Sequence, residues 1–153
     1  MIDILIPMEP KSQPRPRAAN RGGFIHIYQP KTIAEWKGTV KMLVKEDLMK
    51  LGITGVPWPN DALRIEVYFG FTMPKSRWRK KLKRDAEFHT KKPDLDNTLK
   101  SLKDALNGVM WLDDSHVGEV LMRKIILPQE VPPAIRLIVT RMKETALQMD
   151  WIS

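Results

Sequence analysis

Five apolar residues, Leu95, Leu99, Leu102, Leu106 and Val109, recur at steps of four, three, four and three, which sets them on one face of an α-helix ending near Gly108. A helix with a single apolar face must bury it against another layer, and for one stripe the default partner is the chain's own sheet. Ile33, Trp36, Val40, Leu43, Val44, Leu48 and Leu51 form a second helical stripe over 31–51, closed by Gly52. Leu63, Ile65, Val67 and Phe69 alternate with Arg64, Glu66 and Tyr68, the period of two of a strand, which Met73-Pro74 ends. Ile2 to Ile6, stopped by Pro7, reads as a first strand. Lys11 to Arg21, holding Pro14 and Pro16, reads as an extended basic loop with exposed arginines that leads into a short strand from Phe24 to Tyr28. A short helix is expected between Ser76 and Phe88. Glu119 to Leu127 and Ala134 to Arg141 read as neighbouring strands joined by the loop Pro128 to Pro133. Met142 to Ile152 reads as a terminal helix whose Ala146, Leu147, Met149, Trp151 and Ile152 dock on the body or on a second subunit. The order β, β, α, β, α, β, β, α predicts an α+β fold, with a single domain over 1–153 and one mixed sheet covered by two main helices.

A chain of 153 residues buries roughly 70% of the surface its unfolded form exposes and needs no staple. It has no cysteine, which excludes disulfide frameworks, cysteine-held zinc, iron–sulfur clusters and thiol catalysis. Its apolar runs are only a few residues long, such as Ile125 to Leu127, and fall far short of the ~20 residues of a membrane span. Residues 1–10 lack the basic head and apolar core of a signal peptide, and Asp3 and Glu9 argue against a transit peptide. The expected setting is the cytoplasm, with no membrane partner.

The net charge of +8 is concentrated. Lys75, Arg77, Arg79, Lys80, Lys81, Lys83, Arg84, Lys91 and Lys92 face only Asp85 and Glu87 across 75–92, a local +7. Lys11, Arg15, Arg17 and Arg21 add +4 with no acid, leaving the rest of the chain at −3. Concentrated positive charge is the footprint of a polyanion binder, since each neutralised phosphate releases condensed counterions. Taken alone it is equally compatible with a solvated surface segment or a membrane-surface patch.

The acidic residues decide between these. Lys92-Pro93-Asp94-Leu95-Asp96-Asn97-Thr98-Leu99-Lys100 lies at the start of the leucine-striped helix. Pro93 biases its predecessor toward extended backbone, and in an extended segment residues two apart share a side, so Asp94 and Asp96 face one point while Leu95 turns to the core. Two such carboxylates suit a hard cation such as Mg²⁺, which keeps several waters and takes substrate phosphate as a further ligand. Either aspartate alone reads as an N-cap. Trp111-Leu112-Asp113-Asp114 follows the same helix; a strand returning from Val117 is expected to bring Asp114 or Asp113 alongside the pair, while the alternative is a polar turn with an acidic cap. Lys100 stands four residues after Asp96, either as an ordinary ion pair or as a cation holding phosphate beside the metal. Asp104, a turn further on, is expected to pair with Lys100. Trp78 reads as a packing anchor or a base-stacking platform, and His89 as a phosphate contact or a loop support.

KPDLDNTLK over 92–100, Asp104-Ala105-Leu106-Asn107 and Trp111-Leu112-Asp113-Asp114 together resemble the RusA-type Holliday junction resolvases, endodeoxyribonucleases found in prophages, phages and bacteria; the set covers about 91–120. The resemblance implies a homodimeric, Mg²⁺-dependent enzyme, with Mn²⁺ as a substitute, that makes paired symmetrical nicks across a four-way DNA junction. It places the catalytic, metal-binding triad on Asp94, Asp96 and Asp114 and the catalytic lysine on Lys100, with Asn97, Asp104 and Asp113 around them. The long basic segment at 75–92 and the tail at 142–153 depart from the smallest members. The implied chemistry is metal-assisted phosphodiester hydrolysis to a 5′-phosphate and a 3′-hydroxyl, with Arg15, Arg17, Arg21 and the nine cations of 75–92 holding DNA. Two rivals remain at this point, a non-catalytic DNA-binding module and a nuclease acting on flaps or forks.

Overall fold

The computed structural model describes residues 1–14, 17–21, 24–28 and 31–143, with 17–21 and 24–28 described by their backbone. The elements are β1 (Ile2–Ile6), β2 (Arg17–Arg21), β3 (Phe24–Tyr28), α1 (Lys31–Lys50), β4 (Leu63–Phe71), β5 (Glu87–Phe88), α2 (Leu95–Leu106), β6 (Val117–Ile126) and β7 (Ala134–Arg141). Both stripe helices form, but α1 ends at Lys50 and leaves Leu51 exposed, and α2 ends at Leu106 with Val109 buried just beyond it. Ile33, Trp36, Val40, Val44 and Leu48 are the buried face of α1; Leu99, Leu102, Ala105 and Leu106 are that of α2. Gly52 closes α1 in the left-handed region at φ 74°, where a Cβ is strained and glycine is not.

One mixed sheet runs β1-β7-β4-β6-β5. β4 is central, and its Leu63, Ile65, Val67 and Phe69 are fully buried because both helices lie on that face. β4 and β6 are parallel, paired from Leu63↔Val117 to Phe71↔Ile126 with a one-residue shift of register between Leu63 and Arg64. Parallel neighbours need a crossover, usually a helix, and α2 is that crossover. It follows that β6 starts beside the C-terminal end of α2 and runs back toward its N-terminal end. The fold is α+β, as its element order predicts.

Four expectations change. β6 and β7 are not neighbours: β4 lies between them, antiparallel to β7 from Leu63↔Arg141 to Gly70↔Ala134. The proline-rich link therefore passes over the end of β4, where Leu127 packs on Gly70 and its N–H donates to the Phe71 carbonyl at 2.9 Å. Two strands stand only about 10 Å apart across one intervening strand, within easy reach of seven residues. Part of the expected basic loop is a strand, since Arg17–Arg21 pairs antiparallel with β3. No α-helix forms between Ser76 and Phe88; a single 3₁₀ turn at Lys75–Arg77 and the two-residue β5 take its place, because the run of cations there offers no apolar stripe to bury. The carboxylate of Asp104 pairs with Lys37 of α1 at 3.2 Å rather than with Lys100, tying the two helices together. The expected terminal helix lies largely outside the described residues.

Candidate active site

β5 pairs with the last residues of β6, and the chain then runs beside β6 toward α2. The His89 N–H donates to the Lys124 carbonyl at 3.2 Å. The Lys124 ammonium donates to the Lys91 carbonyl at 2.7 Å and to the Pro93 carbonyl. The returning strand thus delivers a lysine to the start of α2, where a third carboxylate was expected. The Lys92–Pro93 peptide is cis. Asp94 occupies the N-cap position with extended backbone, φ −70° and ψ 142°, but its side chain makes no capping bond. Its carbonyl instead accepts from the Thr98 N–H at 3.1 Å and from the buried Thr98 hydroxyl at 2.8 Å. Asp94 and Asp96 are exposed, and among the described residues neither carboxylate has an ion-pair partner. Capping therefore does not account for the aspartate pair.

Lys100 is exposed and makes no ion pair among the described residues, so its ammonium is not committed to Asp96. Lys103 lies seven residues from Asp96, on the same helix face, and pairs with Asp114 at 3.5 Å. Asp114 thereby joins the face of α2 that carries Asp96 and Lys100, but at the level of Lys103. Asp113 caps the 3₁₀ turn Asp114–His116 by accepting from the Ser115 N–H at 2.9 Å. The side-chain and backbone bonds from Ser115 hold its carboxyl below the usual range. The Asn97 side chain is exposed, while its carbonyl accepts from the Gln13 N–H at 3.1 Å, which docks the segment leading into the N-terminal basic stretch against α2. Among the described residues, no three histidine or acidic side chains stand close enough to hold a metal ion between them.

A cleft of about 520 Å³ lies immediately upstream of Asp94, lined by Arg77, His89, Lys91, Lys92 and the ends of β5 and β6. Arg77 pairs with Glu87 at 2.5 Å and Lys83 pairs with Glu130. Lys75, Arg79, Lys80, Lys81, Lys91 and Lys92 are exposed and unpaired among the described residues. Arg84 is half-buried. Arg15 lies outside the described residues, and Arg17 and Arg21 are described only as β2 backbone. Trp78 donates its indole N–H to the Met73 carbonyl at 3.1 Å, while the residue stays 37% exposed. His89 stacks edge-on against Phe71 at 4.8 Å, and its Nδ1 accepts from the Lys91 N–H at 3.3 Å. Burial first, and the Lys124 charge second, lower its pKa. His89 supports the approach to the motif.

The sequence motif marks neither Lys103 nor Lys124. The spacing of seven from Asp96 was a usable signal for Lys103. Lys124 carries none, since a lysine in a strand 30 residues from Asp94 is placed only by the crossover.

Fold and site together define an α+β protein that sets a bare carboxylate pair among uncommitted cations, the organisation of a protein acting on a polyanion. The sequence matches the family of the endodeoxyribonuclease RusA over residues 7–138, and the chain belongs to that family. It is 35% identical over 121 residues to the uncharacterized protein YqaN of Bacillus subtilis (strain 168), a match that covers 76% of this chain and 81% of that protein. Family membership implies a DNA endonuclease of the Holliday junction resolvase kind. No helix among the described residues is long and apolar enough to cross a membrane.

Proposed function

We propose that this chain is a Mg²⁺-dependent endodeoxyribonuclease that resolves four-way DNA junctions in the cytoplasm, acting as a homodimer that makes paired symmetrical nicks. The observation that carries this reading is the pair Asp94 and Asp96, exposed at the start of α2 without a capping bond, one turn from a Lys100 that pairs with neither. Carboxylate oxygens are the donors a hard divalent cation takes, and Mg²⁺ is commonly held by only one or two of them, with water and phosphate completing the shell. Asp94 and Asp96 fit that requirement and would hold the metal, with Mn²⁺ as a substitute. Asp114 is the third acid of the proposed site. A backbone phosphate drawn to Lys103 would release the Asp114 carboxylate toward it.

The bound metal would supply an acidified water and offset charge on the departing 3′-oxygen. Lys100 binds a non-bridging oxygen of the scissile phosphate and stabilises the charge that grows there. Lys124 holds the backbone carbonyls of Lys91 and Pro93 and so orients Asp94. Lys91 and Lys92 bind the flanking phosphates, which offsets the repulsion between DNA and the aspartates. Water adds to phosphorus, the bond to the 3′-oxygen breaks and that oxygen takes a proton, leaving a 5′-phosphate and a 3′-hydroxyl.

Incision of a labelled four-way junction tests this reading, compared with linear duplex and a flap substrate. Symmetric nicks that need Mg²⁺, vanish in EDTA and vanish in Asp96→Asn are expected, with duplex and flap cut far more slowly. A junction bound but uncut under both Mg²⁺ and Mn²⁺ would make the protein a DNA-binding module.

A further inference from the structure

Between the 3₁₀ turn and β5 the chain makes a loop, Arg79-Lys80-Lys81-Leu82-Lys83-Arg84, whose two ends are tied to one side chain. Gln129 is buried, at 7% exposure. Its Oε1 accepts from the Arg79 N–H at 2.8 Å and the Arg84 N–H at 3.4 Å, and its Nε2 donates to the Arg79 carbonyl at 3.0 Å. Its own N–H donates to the Arg84 carbonyl at 2.9 Å. The next residue, Glu130, takes the Lys83 ammonium while holding a left-handed backbone at φ 71°. Both residues belong to the link that passes over β4, which Leu127 seats on Gly70. A buried amide is retained only where its bonding groups are matched, and here they are matched by the loop.

Between the clamped ends stands Leu82, 75% exposed, with Lys80, Lys81 and Lys83 exposed around it. A lone exposed leucine is ordinary on a protein surface. This one sits between cations, in a loop whose shape is fixed from below by Gln129 and Glu130. Apolar side chains flanked by cations are what DNA-deforming proteins insert between base steps, with the cations gripping the phosphates on either side.

We infer that Leu82 is a wedge that enters an unstacked base step at the branch of a DNA junction, held in position by Gln129. The inference rests on the junction reading above but concerns binding, so it is tested without cleavage. The experiment measures, in EDTA, the affinity of the full chain for a four-way junction and for linear duplex, together with the fluorescence of a 2-aminopurine placed beside the branch point. Binding of the natural chain should brighten the 2-aminopurine as its step opens. Leu82→Ala should bind duplex as before but lose about tenfold in junction affinity and most of the brightening. Gln129→Ala should lose the brightening as well, with thermal unfolding followed alongside to show that the body stays folded. Leu82→Met, which keeps an apolar wedge, should restore the signal. If Leu82→Ala binds junction and brightens the probe like the natural chain, the wedge is overturned while Mg²⁺-dependent nicking stands. If nicking fails but these binding differences persist, the wedge stands without the nuclease.

Discussion

Asp94, Asp96, Lys100, Lys103 and Asp114 share one helix and the turn after it, yet their commitments differ. Lys103 and Asp114 are paired at 3.5 Å, whereas the first three have no ion-pair partner among the described residues. The Lys103–Asp114 pair is half-buried and still reached by solvent, with side chains 20% and 41% exposed, and such a pair is worth on the order of 1 kcal/mol, so phosphate and metal can compete for either member. If Asp114 becomes a ligand on DNA binding, Asp114→Asn should raise the Mg²⁺ concentration for half-maximal nicking by about 10-fold or more; an unmoved Mg²⁺ curve would reduce Asp114 to a partner for Lys103. Lys100→Met should slow nicking by roughly 100-fold or more while leaving the same Mg²⁺ curve in place, because its proposed contact is with phosphate. His89 yields a prediction of another kind. Its pKa is lowered by burial and then by Lys124, so the folded state favours the neutral ring and protonation opposes folding. Its contribution to stability is complete above the ordinary imidazole range and is lost as pH falls through that range toward the lowered folded value. The urea midpoint should therefore drop more steeply between about pH 7 and about pH 5 for the natural chain than for His89→Gln, with equal slopes ruling the effect out.

At the scale of elements, the link between β6 and β7 joins the core to the basic loop. A Cβ at Gly70 would meet Leu127 Cδ1 at 2.7 Å and Cγ at 2.9 Å, with the Ala134 carbonyl oxygen at 3.0 Å. Gly70→Ala should destabilise by about 1–3 kcal/mol in urea unfolding, and Leu127→Ala in the same chain should recover part of that, since the two sites share one space. Equal and additive losses would mean that the crossover is not seated there. This link was the least legible part of the fold. Periodicity located both of its flanking strands, Ala134–Arg141 to the residue, because alternation reports which faces are buried. It reports nothing about which strand pairs with which, and a short proline-rich link suggests adjacent strands just as readily as a step over one. The stripe of α2 was legible for the opposite reason: its partners are set by its own spacing. The aspartate pair was legible because it is contiguous, whereas Gln129 and Lys124 reach the basic loop and the motif only through the crossovers at either side of β4.

For the whole molecule, charge and symmetry set the remaining question. The helices cover one face of the sheet. On the other face Asp3 pairs with Arg136 at 2.7 Å, Arg64 pairs with Glu66 at 3.3 Å and with Glu119 at 3.4 Å, and the Arg123 guanidinium lies 5.9 Å from the centre of the Tyr68 ring. The cations of that face are thus matched to acids or rings, while Lys91, Lys92 and Lys100, next to the carboxylate pair in the chain, are exposed and unpaired among the described residues. DNA is therefore expected along the basic loop and the start of α2, and one chain presents one such site. A four-way junction offers two equivalent strands related by a two-fold axis, so paired cutting calls for two sites related in the same way. Mixed dimers test this directly. Natural chains and Asp96→Asn chains, carrying different tags and co-purified so that each dimer holds one of each, are given a supercoiled plasmid with an extruded cruciform. A single nick relaxes the plasmid and the cruciform is reabsorbed, ending as a nicked circle, whereas two nicks made within one binding event release linear DNA. Natural homodimers should give mainly linear product and mixed dimers almost only nicked circles. Linear product from mixed dimers at the natural rate would mean that one site cuts both strands in turn, and the need for a second copy would fall away.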